Sequence, residues 1–157
     1  MAEPTTIHST FVLERTYPKP VERVFVAFAD PEKKRRWFAD GRGMEVQMFA
    51  MEFRTGGVER LDYKMGADTP FPGTLIENEG AFQDIVPNQR IVLATSMSLG
   101  GRRISSTLIT FEFLPAGDGT TLYCTHQGAF FEGADGPKMR EQGWRTLFDR
   151  LAAALEA

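Results

Sequence analysis

The chain predicts an α+β fold in which a long antiparallel sheet curls around one C-terminal helix. Two observations carry this expectation. Over residues 142–155, Trp144, Leu147, Phe148, Leu151 and Leu155 recur at i, i+3, i+4, i+7 and i+11, one face of a 3.6-residue repeat. Between residues 44 and 131, six runs rich in β-branched and aromatic residues alternate with glycine, proline and asparagine turns. A helical stripe with two aromatic rings must lie on something broad and apolar, and a curved sheet supplies it. Gly143 sits inside the helical pattern at a cost in propensity, so close approach of another backbone is expected there.

The elements follow in order. Residues 6–17 form a first strand, stopped by Pro18 and Pro20. Pro20 suits a first helical turn, and Val21, Val24, Phe25 and Phe28 then mark one buried helical face. Asp30-Pro31 gives an N-cap followed by an N1 proline, opening a second short helix that ends in Trp37-Phe38. Six strands are expected at 44–51, 58–65, 74–86, 91–99, 103–114 and 120–131, with turns at Gly56-Gly57, Pro70 to Gly73, Pro87-Asn88, Gly100-Gly101 and Pro115 to Gly119. Connections this short favour antiparallel neighbours. The order is therefore β-α-α, six strands, and a last helix, in one domain spanning 1–157 with its core at about 7–155.

Composition narrows the function classes. At 157 residues, 42% of them hydrophobic, the chain suits one globular core, and a net charge of −3 offers no footprint for nucleic acid. The single cysteine, Cys124, excludes an internal disulfide framework and suits a reducing compartment. With no apolar run for a signal peptide or a membrane span, a cytoplasmic protein is expected. Two histidines in all make a metal site improbable, and no glycine pair precedes a helix as a phosphate loop would. No metal or cofactor is expected. The basic run Lys33 to Arg36 spreads around a helix and is expected to be solvated.

A sheet that grips a helix leaves space beneath it, either filled by side chains or open to a ligand. Met44, Met48, Met51, Met65 and Met97 would make its walls adaptable. His126 and Cys124 share one strand face, but same-face neighbours lie roughly 6.5–7 Å apart, too far for a nucleophile–base contact. His126 alone is either a satisfied structural histidine or a titratable group that orients a ligand or takes its proton. Tyr63 and Tyr123 are candidate polar handles. Arg15, on the strand face of Phe11 and Leu13, either meets a carboxylate at the cavity mouth or pairs with a nearby acid. Glu77, Glu79, Asp84 and Glu112 form no evident acid–base pair. Phe71, Phe130 and Phe131 lie in segments rich in glycine and proline and are candidate gates, or a plug over the end of the core.

Glu14 to Glu32 with Trp37 resembles the opening of the START-like, helix-grip (SRPBCC) superfamily. Within it the chain is most similar to the branch named after the C-terminal domain of the activator of Hsp90 ATPase, beside polyketide cyclase-like proteins. Phe82-Gln-Asp-Ile-Val-Pro-Asn-Gln-Arg-Ile-Val92 carries the branch's central pattern, and Gly119-Thr120 and Gly143-Trp144 match it too. The resemblance implies a seven-stranded antiparallel sheet around the C-terminal helix, with an internal hydrophobic cavity. The expected function is binding of a small, largely apolar or aromatic molecule. Met48, Met97, Phe113, Phe130, Trp144 and Phe148 would form the wall and Arg15, Tyr63 and His126 the polar anchors. One alternative is a cyclase, dehydratase or isomerase that moves protons through His126 or Tyr63; another is a chaperone-partner module. The expected partner is a small hydrophobic molecule, and a homodimer is left open.

Overall fold

Residues 2–157 are described by the structure, a computed structural model. Strand β1 (Ile7–Tyr17) leads into helices α1 (Val21–Ala29) and α2 (Pro31–Phe38). Strands β2 (Glu45–Met51), β3 (Val58–Lys64), β4 (Leu75–Val86), β5 (Arg90–Leu99), β6 (Arg102–Ala116) and β7 (Gly119–Phe130) follow, and α3 (Pro137–Glu156) ends the chain. The seven strands form one antiparallel sheet in the order β1-β7-β6-β5-β4-β3-β2. Consecutive strands from β2 to β7 are neighbours, as short turns dictate. Because β1 closes onto β7, the first strand and β2 lie at opposite edges, and α1 and α2 carry the chain between them. The expected α+β, helix-grip architecture is the one observed.

Local chemistry sets the element ends. Asp30 Oδ1 accepts from the backbone N–H groups of Glu32 (2.9 Å) and Lys33 (3.2 Å), capping α2 with Pro31 behind it. Pro20 stands just outside α1, at the N-cap position. Gly100 and Gly101, with φ of 57° and 83°, make the two-residue β5–β6 turn that only paired positive φ angles allow. Helix α3 starts five residues earlier than the hydrophobic stripe indicates, because Gly136 and Pro137 open it ahead of the first apolar residue.

The core is a block of interlocked rings. Phe28 meets Trp37, Phe111 and Phe113 at centroid distances of 4.9, 5.1 and 5.1 Å, and Trp144 packs on Phe111 and Phe148 at 5.6 Å each. Trp144, Leu147, Phe148, Leu151 and Leu155 are all buried against it, as their spacing requires. Tyr17 donates its hydroxyl to the Phe148 carbonyl at 3.1 Å, tying β1 to α3.

Three expectations are corrected. A Cβ placed on Gly143 would meet no atom within 4 Å, so no other backbone approaches there and the residue opens space instead. A shift in β2–β3 pairing between Val46 and Met48 reverses side-chain parity, so Met48 is 47% exposed and cannot be a wall residue. Lys34 is 2% exposed, paired with buried Glu59 of β3 and lying 4.6 Å from the Phe38 ring centre. The basic run is therefore not wholly solvated: Lys34 pins α2 to the sheet.

Candidate functional site

The interior divides along α3. Toward the C-terminal end of that helix, aromatic and aliphatic side chains form the contiguous core, which includes Phe113, Trp144, Phe148 and Cys124. Burial pushes the Cys124 thiol up, away from thiolate chemistry. Toward the N-terminal end, the inner face of the sheet turns polar. Strand register places Asn78, Met97, Ser105 and Phe130 in one row across β4, β5, β6 and β7. Two rows further along the same face, beyond Gly128 and Thr107, stand Leu93, Ile109, His126 and Phe11. Tyr63 stands one strand further out on β3, in the register of Ile76.

His126 is the centre of this region. It is 1% exposed, and its ring lies parallel to Phe11 at 4.5 Å and 8°. On its other side Phe130 stacks at 6.3 Å and 20°. Gly128, between His126 and Phe130 on the same strand face, makes this column possible. A Cβ there would stand 2.8 Å from Phe130 Cε2 and 3.3 Å from His126 Cε1. Among the described residues neither ring nitrogen of His126 has a hydrogen-bond partner. Burial lowers its pKa from 6.5 to about 4, and the Arg140 cation adds to the effect. Its own backbone, close to the ring but outside hydrogen-bond geometry, and the Asp135 charge pull upward and lose. At neutral pH it is an uncharged imidazole with one donor and one acceptor unused.

Arg140 caps the column. Its guanidinium lies 5.1 Å from the Phe130 ring centre and grips Asp135 in a two-bond fork at 2.7 and 2.8 Å. The same group donates to Ser105 Oγ at 3.0 Å and touches Met97 Sδ at 3.4 Å. Tyr63, half-buried, faces this group. Burial pushes its phenol up, while Arg42 and Arg140 pull it part of the way back. Donors and acceptors thus gather around an apolar column.

The candidates from sequence separate accordingly. His126, Tyr63, Met97 and Phe130 come together at the N-terminal end of α3, whereas Trp144, Phe113 and Phe148 belong to the filled core. Arg15 is the partner of an acid: it donates to Asp149 at 2.6 Å and to the Arg145 carbonyl at 3.3 Å, outside the polar region. Among the gates, Phe71 is 60% exposed in the β3–β4 loop and Phe131 is half-buried. Phe130 is the fully buried last residue of β7, so it is wall and not a loop at a mouth. Arg140, Asp135 and Ser105 went unrecognised. The signal was present, since Arg140, Trp144, Leu147 and Leu151 fall at i, i+4, i+7 and i+11, putting a cation on the apolar stripe.

Two surface hollows lie at the other end of the molecule. One of ≈ 540 Å³ is lined by Asn88, Gln89, Phe113 and Pro115, and one of ≈ 450 Å³ by Arg23, Trp37, Arg150 and Leu155. Phe113 alone of the candidate residues borders either. Among the described residues no group of three metal-ligating side chains assembles, and no helix is long and apolar enough to cross a membrane.

A seven-stranded antiparallel sheet packed around a long C-terminal helix defines a helix-grip domain. Its family follows from comparison: the chain belongs to the Activator of Hsp90 ATPase homolog 1-like protein family, whose profile matches residues 18–156. The crystal structure of Mll3558 from Rhizobium loti is similar, at 46% identity over 96% of this chain and 99% of that one, with a TM-score of 0.86. A protein from Rhizobium leguminosarum shares 38% identity over 96% of each chain, with a TM-score of 0.87. CalU16 from Micromonospora echinospora, at 20% identity over 97% of this chain and 87% of that one, has a TM-score of 0.62 and shares the fold alone. No curated protein matches the chain.

Proposed function

We propose that the protein binds a small, largely apolar or aromatic molecule between the sheet and the N-terminal half of α3. The molecule's flat or aliphatic body lies against Phe11, Phe130 and Met97, and its polar group meets His126, Tyr63 and Arg140. One observation carries this reading: a fully buried imidazole with both nitrogens unpartnered, in a region whose other polar side chains face inward. Leaving a buried imidazole unmatched costs about 1–3 kcal/mol, a cost that a bound molecule removes.

The low basicity of His126 supports the carrier reading. Burial holds the imidazole neutral at pH 7 and makes it a weaker base than an ordinary histidine, which suits a hydrogen-bonding role. Binding is therefore favoured over cyclase-type or isomerase-type proton transfer. The buried, unreactive Cys124 suits the expected reducing compartment.

Native mass spectrometry of gently purified protein, followed by organic extraction, tests the reading. The expected result is a stoichiometric small molecule with an apolar body and one polar end, lost from His126→Leu. Retention of the same molecule at unchanged occupancy in His126→Leu would remove His126 from the site.

A further inference from the structure

We infer that the hollow of ≈ 450 Å³ between α1, α2 and the end of α3 is a second binding site, and that it takes a small soluble organic phosphate. It lies apart from the region around His126 and stands or falls independently of it. Three helices converge on it, each presenting residues three or four apart on one face. Arg23 and Val26 come from α1, Lys33 and Arg36 from α2, and Arg150 and Ala154 from α3. Val26 and Ala154 are too short to fill the crossing, so the floor between the cations is apolar and open. The volume is that of an ordinary small-molecule site, roughly 300–1,000 Å³.

The charge of the hollow is one-sided. The chain holds 21 acidic residues against 18 basic ones, yet among the described residues no acidic side chain lines this hollow and four cations do. None of the four forms an ion pair among the described residues, and neither does the terminal carboxylate of Ala157, which also borders the hollow. Arg150 donates to the carbonyls of Arg36, Trp37 and Gly41 at 3.0, 3.0 and 3.3 Å and to that of Asp40. Arg23 donates to the Leu155 carbonyl at 3.4 Å. Closing the ends of α2 and α3 accounts for these two guanidinium groups, which are thereby held in place with their charge unbalanced. It gives no reason for Lys33 and Arg36, whose exposed side chains face the same hollow. A cleft lined by one sign of charge concentrates the opposite ion. A carboxylate balances one cation, whereas a phosphate monoester brings about two negative charges and three acceptor oxygens. Guanidinium groups meet such oxygens with paired donors, and the floor receives a short apolar body. The net charge of −3 sets the protein against an anionic bilayer, so the phosphate is a soluble one and not a lipid headgroup.

2-Naphthyl phosphate and 2-naphthol share one apolar body and differ in charge. Their affinities are to be measured by isothermal titration calorimetry for the unaltered protein, for Lys33→Gln/Arg36→Gln and for Lys64→Gln/Lys138→Gln. The last variant removes the same charge from exposed positions outside the hollow. The expected result is a phosphate preference of about tenfold or more, lost in Lys33→Gln/Arg36→Gln and kept in Lys64→Gln/Lys138→Gln. Equal affinity for the two compounds, binding of neither, or the same loss in both variants would overturn the inference. So would a preference that persists in Lys33→Gln/Arg36→Gln. Sedimentation with phosphatidate vesicles separates the two sources of phosphate. The protein should stay in the supernatant, and pelleting that Lys33→Gln/Arg36→Gln abolishes would overturn the soluble source.

Discussion

Replacing His126 by phenylalanine should abolish the pH dependence of stability that this residue creates between pH 6.5 and pH 4. In the unfolded chain the imidazole takes a proton near pH 6.5, whereas in the fold it resists protonation until about pH 4. Between these values the unfolded state binds more protons, so lowering the pH favours unfolding. The stability contributed by a neutral His126 is complete above pH 6.5 and drains away as the pH falls through about 4. The gap between the two pKa values corresponds to about 3 kcal/mol, most of it lost by pH 4.5. At pH 7 two effects oppose each other in the variant. Losing two unpartnered nitrogens gains about 1–3 kcal/mol, and a larger ring between Phe11 and Phe130 costs about 1–3 kcal/mol. The offset at pH 7 is therefore small, and the slope below it is diagnostic. Urea unfolding at pH 7, 6, 5 and 4.5, followed by the fluorescence of buried Trp37 and Trp144, measures both. His126→Phe should gain on the unaltered protein by about 2–3 kcal/mol across the series. His126→Leu, which cannot overpack, should gain equally. Parallel pH profiles for all three proteins would refute the reasoning.

Other substitutions probe separate parts of the account. Lys34→Ala leaves Glu59 buried and unpaired, and should cost about 3–5 kcal/mol in urea unfolding, with most of it restored in Lys34→Met/Glu59→Met. Gly143→Ala should raise stability by about 0.5–1 kcal/mol in urea unfolding, since its Cβ meets nothing. Gly128→Ala drives a methyl group against Phe130 Cε2 and should cost on the order of 1–3 kcal/mol in the same unfolding assay, displacing that ring from His126.

The architecture was legible because each strand is bounded by a strong turn signal and the last helix carries an unbroken stripe. Period-2 alternation placed His126 on one strand face with Cys124, and that parity survived because the β6–β7 ladder has no bulge. Met48 failed for the opposite reason: one irregularity at Val46/Met48 turned it outward, and nothing in the local sequence marks it. Lys34 looked solvated because charge runs usually are, and its partner Glu59 lies on a strand 25 residues away. The column of Phe11, His126 and Phe130 joins two strands through register, which pattern along one strand cannot supply. Arg15 was readable only as two alternatives, and the choice fell to Asp149 on a helix 134 residues later.

The central claim is that a neutral, buried His126 waits for the polar group of a ligand. Long-range ¹H–¹⁵N NMR of the imidazole rings tests it directly, with exposed His8 as the internal reference in a chain of two histidines. The account predicts that His126 stays neutral down to about pH 4. It also predicts that naphthalene-2-carboxylate shifts the ring nitrogens of His126 and leaves those of His8 in place. A His126 ring that titrates near pH 6.5 and does not respond to the carboxylate would contradict it.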